Sequence, residues 1–253
     1  MTMIDAAVAA LVTARNEHRA TPAAQVPLPD AAAAYAVQAG VARALGWFQD
    51  GASARHWKSG GPSRDATLTH APLPPAGIWQ SPADARAWPF HLRGIEAEIA
   101  LRLGADVDAT RAAGLDLASA SALVDAMCVS IELVDSRWRE ALEAPALAKL
   151  ADLQSHGALV LGDWQPFAPC DWAAQRCRVH IGARPVLEFQ GTHSMSDPAF
   201  VLMAWLRHAT QDGAVVRAGT VVTTGTWCGL PLATAGDRVL AEFPGIGQAE
   251  VQL

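Results

Sequence analysis

Residues 94–103 read GIEAEIALRL, and this stretch decides the fold. Ile95, Ala97, Ile99, Leu101 and Leu103 share one parity, while Glu96, Glu98, Ala100 and Arg102 share the other. That is the period-two pattern of a half-buried strand. On a helix, residues two apart point roughly 200° from each other, whereas on a strand they share a face about 7 Å apart. Glu96 and Glu98 therefore converge. Two like charges on a half-buried face need open water, cationic partners or a bound metal to be tolerated. A second apolar run, CVSIELVDSR at 128–137, carries Glu132 in its middle, where charge is costly. If the two strands are neighbours, three carboxylates form one oxygen-rich cluster. Hard oxygen ligands free of cysteine and histidine favour Mg2+ or Mn2+ over zinc.

Outward from these strands, Ile4 to Arg19 and Asp30 to Trp47 are alanine-rich with helical spacing, and Asp30 is placed to cap the second. Residues 1–50 thus read as a helical N-terminal part. From Gly51 to about residue 90 the chain is rich in Gly, Pro, Ser and Trp without steady periodicity, which predicts a loop-rich lid. Residues 91–253 read as the β core. Asp116 to Met127 is expected as a helix feeding the Glu132 strand, and further strands are expected at Cys177 to Ile181, Val215 to Thr224, Arg238 to Phe243 and Ala249 to Leu253. Pro198 to Ala209 reads as a helix capped by Asp197.

Composition sets the class. With 253 residues, 51% hydrophobic and 17% charged, the chain suffices for one sizeable core, read as a single domain over 1–253. A net charge of −6 without any basic block gives no electrostatic footprint for nucleic acid. The N-terminus has no cationic start before an apolar run, so neither a signal peptide nor a membrane anchor is expected. Four cysteines without a CxxC pair suit reduced thiols, and the expected location is the cytoplasm.

GIEAEIALRL, IELVDSR, the early AYAVQ at 34–38 and the C-terminal AFVLMAWL, AGTVVTTGTW and AGDRVLAEFPGIGQAEV together resemble the fumarylacetoacetate hydrolase superfamily. Within it, the chain looks most like the 2-keto-4-pentenoate hydratases and their decarboxylase relatives of aromatic catabolism. The resemblance implies an α+β fold, a mixed β-sheet roll or barrel-like core with flanking helices. It also implies one Mg2+ or Mn2+ ion on Glu96, Glu98 and Glu132. In the family, the metal takes the C1 carboxylate and C2 oxygen of a 2-oxo or 2-hydroxydienoic acid. Asp135 would face away from Glu132 on a regular strand, so it is expected to pair with Arg137 instead.

Further residues follow in part from the same resemblance and in part from the chemistry of the side chains themselves. HWKSGG at 56–61 places Lys58 and Gly60 where the family has a substrate-contacting K-x-G. The hydratases carry an acidic P-D-[FY]-G segment, but this chain reads LPPAGIW at 73–79, so the aspartate is gone. His70 and His193 are the expected replacements as proton carriers, with His56 and Asp65 as further candidates. Trp57, Thr226 and Trp227 are expected to wall the substrate. A homo-oligomer with no nucleic-acid or membrane partner is also expected. Hydration, decarboxylation, tautomerisation, carbon–carbon hydrolysis and a metal-binding relative without turnover all stay open.

Overall fold

The chain enters on the two expected helices, α1 (Met3–Glu17) and α2 (Ala31–Ala44). The computed structural model describes residues 2–48 and 53–253, so the ends of the expected helical part and the start of the expected lid lie outside the described residues. Thr2 and Asp5 close a capping box on α1, and the Asp30 carboxylate accepts from the Ala33 amide at 2.8 Å to start α2. Ala7 and Leu11 of α1 pack with Ala34, Val37 and Val41 of α2 in one apolar cluster.

Residues 53–90 are not the structureless loop expected. They hold β1 (His56–Gly60), β2 (Thr69–Pro72), β3 (Ile78–Gln80) and β4 (Ala83–Asp84), each built into a sheet. Strands of two to five residues are too short to show a period, and the prolines between them mask the rest. The consequence for function is that Lys58 stands on fixed framework.

β5 (Gly94–Leu103) and β6 (Val124–Val134) form the long antiparallel pair at the centre of the first sheet. The expected 116–127 helix stops early. Asp116 caps α4 (Leu117–Ser121), which follows α3 (Ala109–Ala113). The chain then turns extended because β6 pairs with β5 as far as Leu103 opposite Val124, so sheet pairing overrides local helical preference. After α5 (Ala146–Ala151) come β7 (His156–Leu161), β8 (Gln165–Pro166), β9 (Arg176–Ile181) and β10 (Leu187–Gln190). The Asp197-capped turn leads into α6 (Val201–Ala209), and the expected 215–224 strand shortens to β11 (Val221–Thr223). β12 (Arg238–Phe243) and β13 (Gly247–Gln252) finish the chain.

The eight-stranded mixed sheet runs β2-β1-β11-β5-β6-β7-β3, with β8 on β6, and the second sheet runs β10-β9-β12-β13-β4. Ile95, Ala97, Ile99 and Leu101 of β5 and Val129, Ile131 and Leu133 of β6 share one core with Val179, Val239, Phe243 and Val251 of the second sheet. Each such large side chain contributes roughly 1.5–3 kcal/mol on burial. This locks the register, since a one-residue slip would bury the glutamates between the sheets. The result is the expected α+β architecture of mixed sheets with flanking helices. Among the described residues, no helix is long and apolar enough to cross a membrane.

Candidate metal centre

The strand alternation that fills the core with Ile95, Ala97, Ile131 and Leu133 turns Glu96, Glu98 and Glu132 to the opposite face. Glu96 stands directly across from Glu132 in the β5–β6 register, and Glu98 across from Ser130. One oxygen from each of the three carboxylates lies within 4.8 Å of the others. Glu98 and Glu132 are buried, and Glu96 keeps partial exposure toward a cavity of about 180 Å3.

Two donors converge on Glu132. Lys58 reaches across the sheet from β1, its Nζ donating at 2.6 Å to Glu132 Oε1 and at 3.2 Å to the Gln154 carbonyl. His156, the first residue of β7, donates from Nδ1 to the same oxygen at 3.1 Å. Glu132 Oε2 is buried and has no partner. Glu98 is tied down by the Thr223 hydroxyl and by the Gly225 amide at 2.8 Å, both donating to Oε2. Gly225 has a φ of 113, a conformation open to glycine alone at low cost, and this turns its N–H toward the carboxylate.

Three carboxylates against one ammonium leave this buried group with an excess of negative charge, and the titration of each member reflects it. Burial pushes the Glu96 carboxyl up to about 8, partly opposed by Lys58 and reinforced by Glu132 and Glu98. Burial and Glu132 push Glu98 up to about 7 against the pull of Lys58, Thr223 and Gly225. Burial alone would raise Glu132 as well, but Lys58 and His156 more than offset it and hold Glu132 below the usual range. Burial works against Lys58, yet the three acids outweigh it and raise its pKa, so the ammonium stays charged. Burial lowers His156, so its ring is neutral and serves as a plain hydrogen-bond donor.

A buried acceptor without a partner costs about 1–3 kcal/mol, and a divalent cation would remove that cost at Glu132 Oε2 while relieving the repulsion among the acids. The donor set is all carboxylate oxygen, which suits a hard ion. With one oxygen from each acid within 4.8 Å of the other two, all three can face a single ion placed between them. The residues present therefore fit a divalent metal.

The loop behind Lys58 is held under strain. Leu153, Gln154 and Ser155 take φ values of 54, 54 and 61, three successive left-handed residues that are not glycine. Each costs about 1–3 kcal/mol and persists only where its surroundings over-determine it. Asp152 supplies that constraint. Its buried carboxylate accepts from the Arg137 amide at 2.8 Å, from Arg137 Nε at 2.7 Å and from Arg15 Nη2 of α1 at 2.9 Å. Asp135 pairs with Arg137 at 3.5 Å, as its parity implied, and also accepts from the His91 and Leu92 amides.

Of the residues singled out in the sequence, Lys58, Glu96, Glu98 and Glu132 meet at one point, with Gly60 and Thr226 on the cavity wall. The histidines do not join them. His70 lies one hydrogen bond behind the wall, its Nδ1 2.9 Å from Ser59 Oγ, and burial with His208 pushes it down to about 3. His193 sits against Trp227, with Nε2 2.9 Å from the Thr224 carbonyl, and burial pushes it down to about 4. Both rings are neutral at pH 7, so neither is poised to donate a proton. His56 at the head of β1 and the exposed Asp65 also lie off the cavity wall. Trp57 packs on Trp205 and His208, and Trp227 on Trp172 and Phe243, so neither indole walls the cavity. Strand parity explains the first: Trp57 is the neighbour of Lys58 and must face the other way.

Gln154, His156 and Ser194 belong to the site but carry no motif in the sequence. Gln154 and Ser194 line the cavity, and His156 holds Glu132. His156 directly precedes the apolar run GALVL, and a histidine opening such a run was the one available sign.

No curated protein matches the chain by sequence. Among solved structures, 4-oxalocrotonate decarboxylase from Pseudomonas putida G7, complexed with calcium and acetate, superimposes with a TM-score of 0.82 at 18% identity over 100% of this chain and 98% of that one. The same enzyme complexed with magnesium and adipate gives 0.83 at 18% identity over 98% and 96%. Fumarylpyruvate hydrolase from Pseudomonas aeruginosa, in complex with Mn2+ and pyruvate, gives 0.56 at 14% identity over 79% and 89%. At these identities the likeness is one of fold. The family model described as fumarylacetoacetate (FAA) hydrolase C-terminal matches residues 50–253, and the chain belongs to the fumarylacetoacetate hydrolase family.

Proposed function

We propose that this protein is a Mg2+- or Mn2+-dependent lyase that hydrates a small 2-hydroxy-2,4-dienoate of the 2-keto-4-pentenoate type. The observation that carries the reading is the clustered trio Glu96, Glu98 and Glu132, with Lys58 on one oxygen of Glu132 and the other oxygen bare. The metal would supply positive charge that stabilises the enolate of a 2-oxo acid. Lys58 has two tasks: it holds Glu132 in place, and it brings a protonated ammonium to the cavity wall beside the acids. No histidine or aspartate joins it on that wall among the described residues, so Lys58 is the wall's one cationic group, placed to stabilise negative charge that develops on a bound acid. Ser59, Ser194 and Thr226 add hydroxyls that can hold a water for attack on the distal carbon. A homo-oligomer acting on a small acid in the cytoplasm completes the proposal.

Decarboxylation of a 2-oxo dicarboxylate is the second reading. The full-length likeness to a decarboxylase favours it, since the hydrolase likeness covers only 79% of this chain. Incubation with Mn2+ and 2-hydroxypenta-2,4-dienoate separates the two. Loss of dienol absorbance with formation of a 4-hydroxy-2-oxo acid supports hydration, and CO2 release from an unsaturated six-carbon 2-oxo dicarboxylate supports the second reading. A protein that binds Mn2+ tightly and turns over neither substrate would overturn both.

A further inference from the structure

If the acid cluster holds a metal that takes the acid end of a ligand, as proposed above, the far end of that ligand meets the cavity wall. Apart from Glu96, Glu98 and three glycines, that wall consists of Lys58, Ser59, Gln154, Ser194, Thr223 and Thr226. Among the described residues, no aliphatic or aromatic side chain lines it, so an alkyl or aryl tail would gain little by entering. Its one cation, Lys58, is already engaged by Glu132 and by the Gln154 carbonyl. A second carboxylate on the ligand would find no free counter-charge and would face Glu96 and Glu98.

Gln154 is the neutral group with hydrogen-bonding capacity to spare. Its Nε2 donates to Thr69 Oγ1, while its Oε1 is buried with no partner. An open amide oxygen wants a donor. With the amide turned over, the NH2 would want an acceptor, and a hydroxyl satisfies either arrangement. The side chain is presented from the left-handed turn that the Asp152 network holds in place. We propose that Gln154 determines specificity at the distal end of the ligand, where the hydroxyl gained on hydration stands, so that a short 4-hydroxy-2-oxo monocarboxylate is held over dicarboxylates and over saturated hydrocarbon tails.

Calorimetric titration of the full-length, Mn2+-loaded protein tests this with four ligands: oxalate, 2-oxopentanoate, 4-hydroxy-2-oxopentanoate and 2-oxoglutarate. Oxalate reports the chelating end alone. The wild type should bind the hydroxy acid about tenfold tighter than 2-oxopentanoate and tighter still than 2-oxoglutarate, and Gln154→Leu should abolish that preference while oxalate binding stays within about twofold. Gln154→Asn keeps an amide, tolerates the left-handed backbone and withdraws the group by one methylene, so it should lower the preference even if the leucine variant fails to fold. Equal preference in the wild type and the asparagine variant would overturn the proposal, as would 2-oxoglutarate binding to the wild type as tightly as the hydroxy acid. Failure of oxalate to bind the Mn2+-loaded wild type would instead overturn the metal-site reading beneath it.

Discussion

Two buried ionic groups lie at one end of β6, three residues apart, and they are built on opposite principles. Around Asp135 and Asp152, two carboxylates face Arg15 and Arg137, every carboxylate oxygen is engaged, and the charges balance. Around Glu132, three acids face one lysine, an oxygen is left bare, and two of the carboxyls titrate near neutrality. A fold gains nothing by assembling the second kind. Burial without full compensation is the mark of a site that awaits a ligand, whereas the balanced group does mechanical work.

The largest expected effect lies in the balanced group. Asp152→Asn leaves two arginines without their shared partner and should cost about 3–5 kcal/mol, read as a lower denaturant midpoint with or without metal. An unchanged midpoint would erase the distinction between the two groups. The opposite response is expected at the acids. Glu96→Gln removes repulsion, so the metal-free variant should melt no lower than the wild type, while Mn2+ affinity falls by about a hundredfold or more in calorimetry. A variant that binds Mn2+ normally would remove Glu96 from the ligand set.

The pH dependence sharpens the contrast. Metal must displace protons from Glu96 and Glu98, whose carboxyls stand at about 8 and about 7, so affinity should rise about tenfold or more from pH 6 to pH 8, with proton release measurable in buffers of different ionisation enthalpy. The sign for stability follows from folded values raised above the ordinary 4.5. In the metal-free protein, the contribution of these two groups is most favourable below about pH 4.5 and declines as pH rises toward 8. Metal should therefore raise the melting temperature more at pH 8 than at pH 6, and the reverse order would contradict the assignment. The smallest effect is expected at His156. His156→Ala should weaken Mn2+ binding about tenfold, with partial recovery in His156→Asn, whose amide can still donate to Glu132 Oε1.

What the sequence shows and hides follows from the range of each interaction. Glu96, Glu98 and the parity of Asp135 were legible because strand alternation is local, and Glu132 because a charge inside an apolar run stands out. Lys58 is legible only through the family resemblance, since the strands around it are too short to show a period. Gln154 and His156 were missed. Their placement comes from a left-handed turn and from β6–β7 pairing, neither of which leaves a pattern in neighbouring residues. The histidines misled for a related reason: their chemistry suits proton transfer in water, and burial takes it away.

Arg15 belongs to the first helix, ahead of the segment that the family model covers, yet it grips the carboxylate that fixes the turn bearing Gln154. A shortened chain beginning near residue 50 would retain every acid of the trio and Lys58, and still present its amide from a slack hinge. If Gln154 selects the ligand as proposed, that choice is set in part by a helix outside the cavity wall.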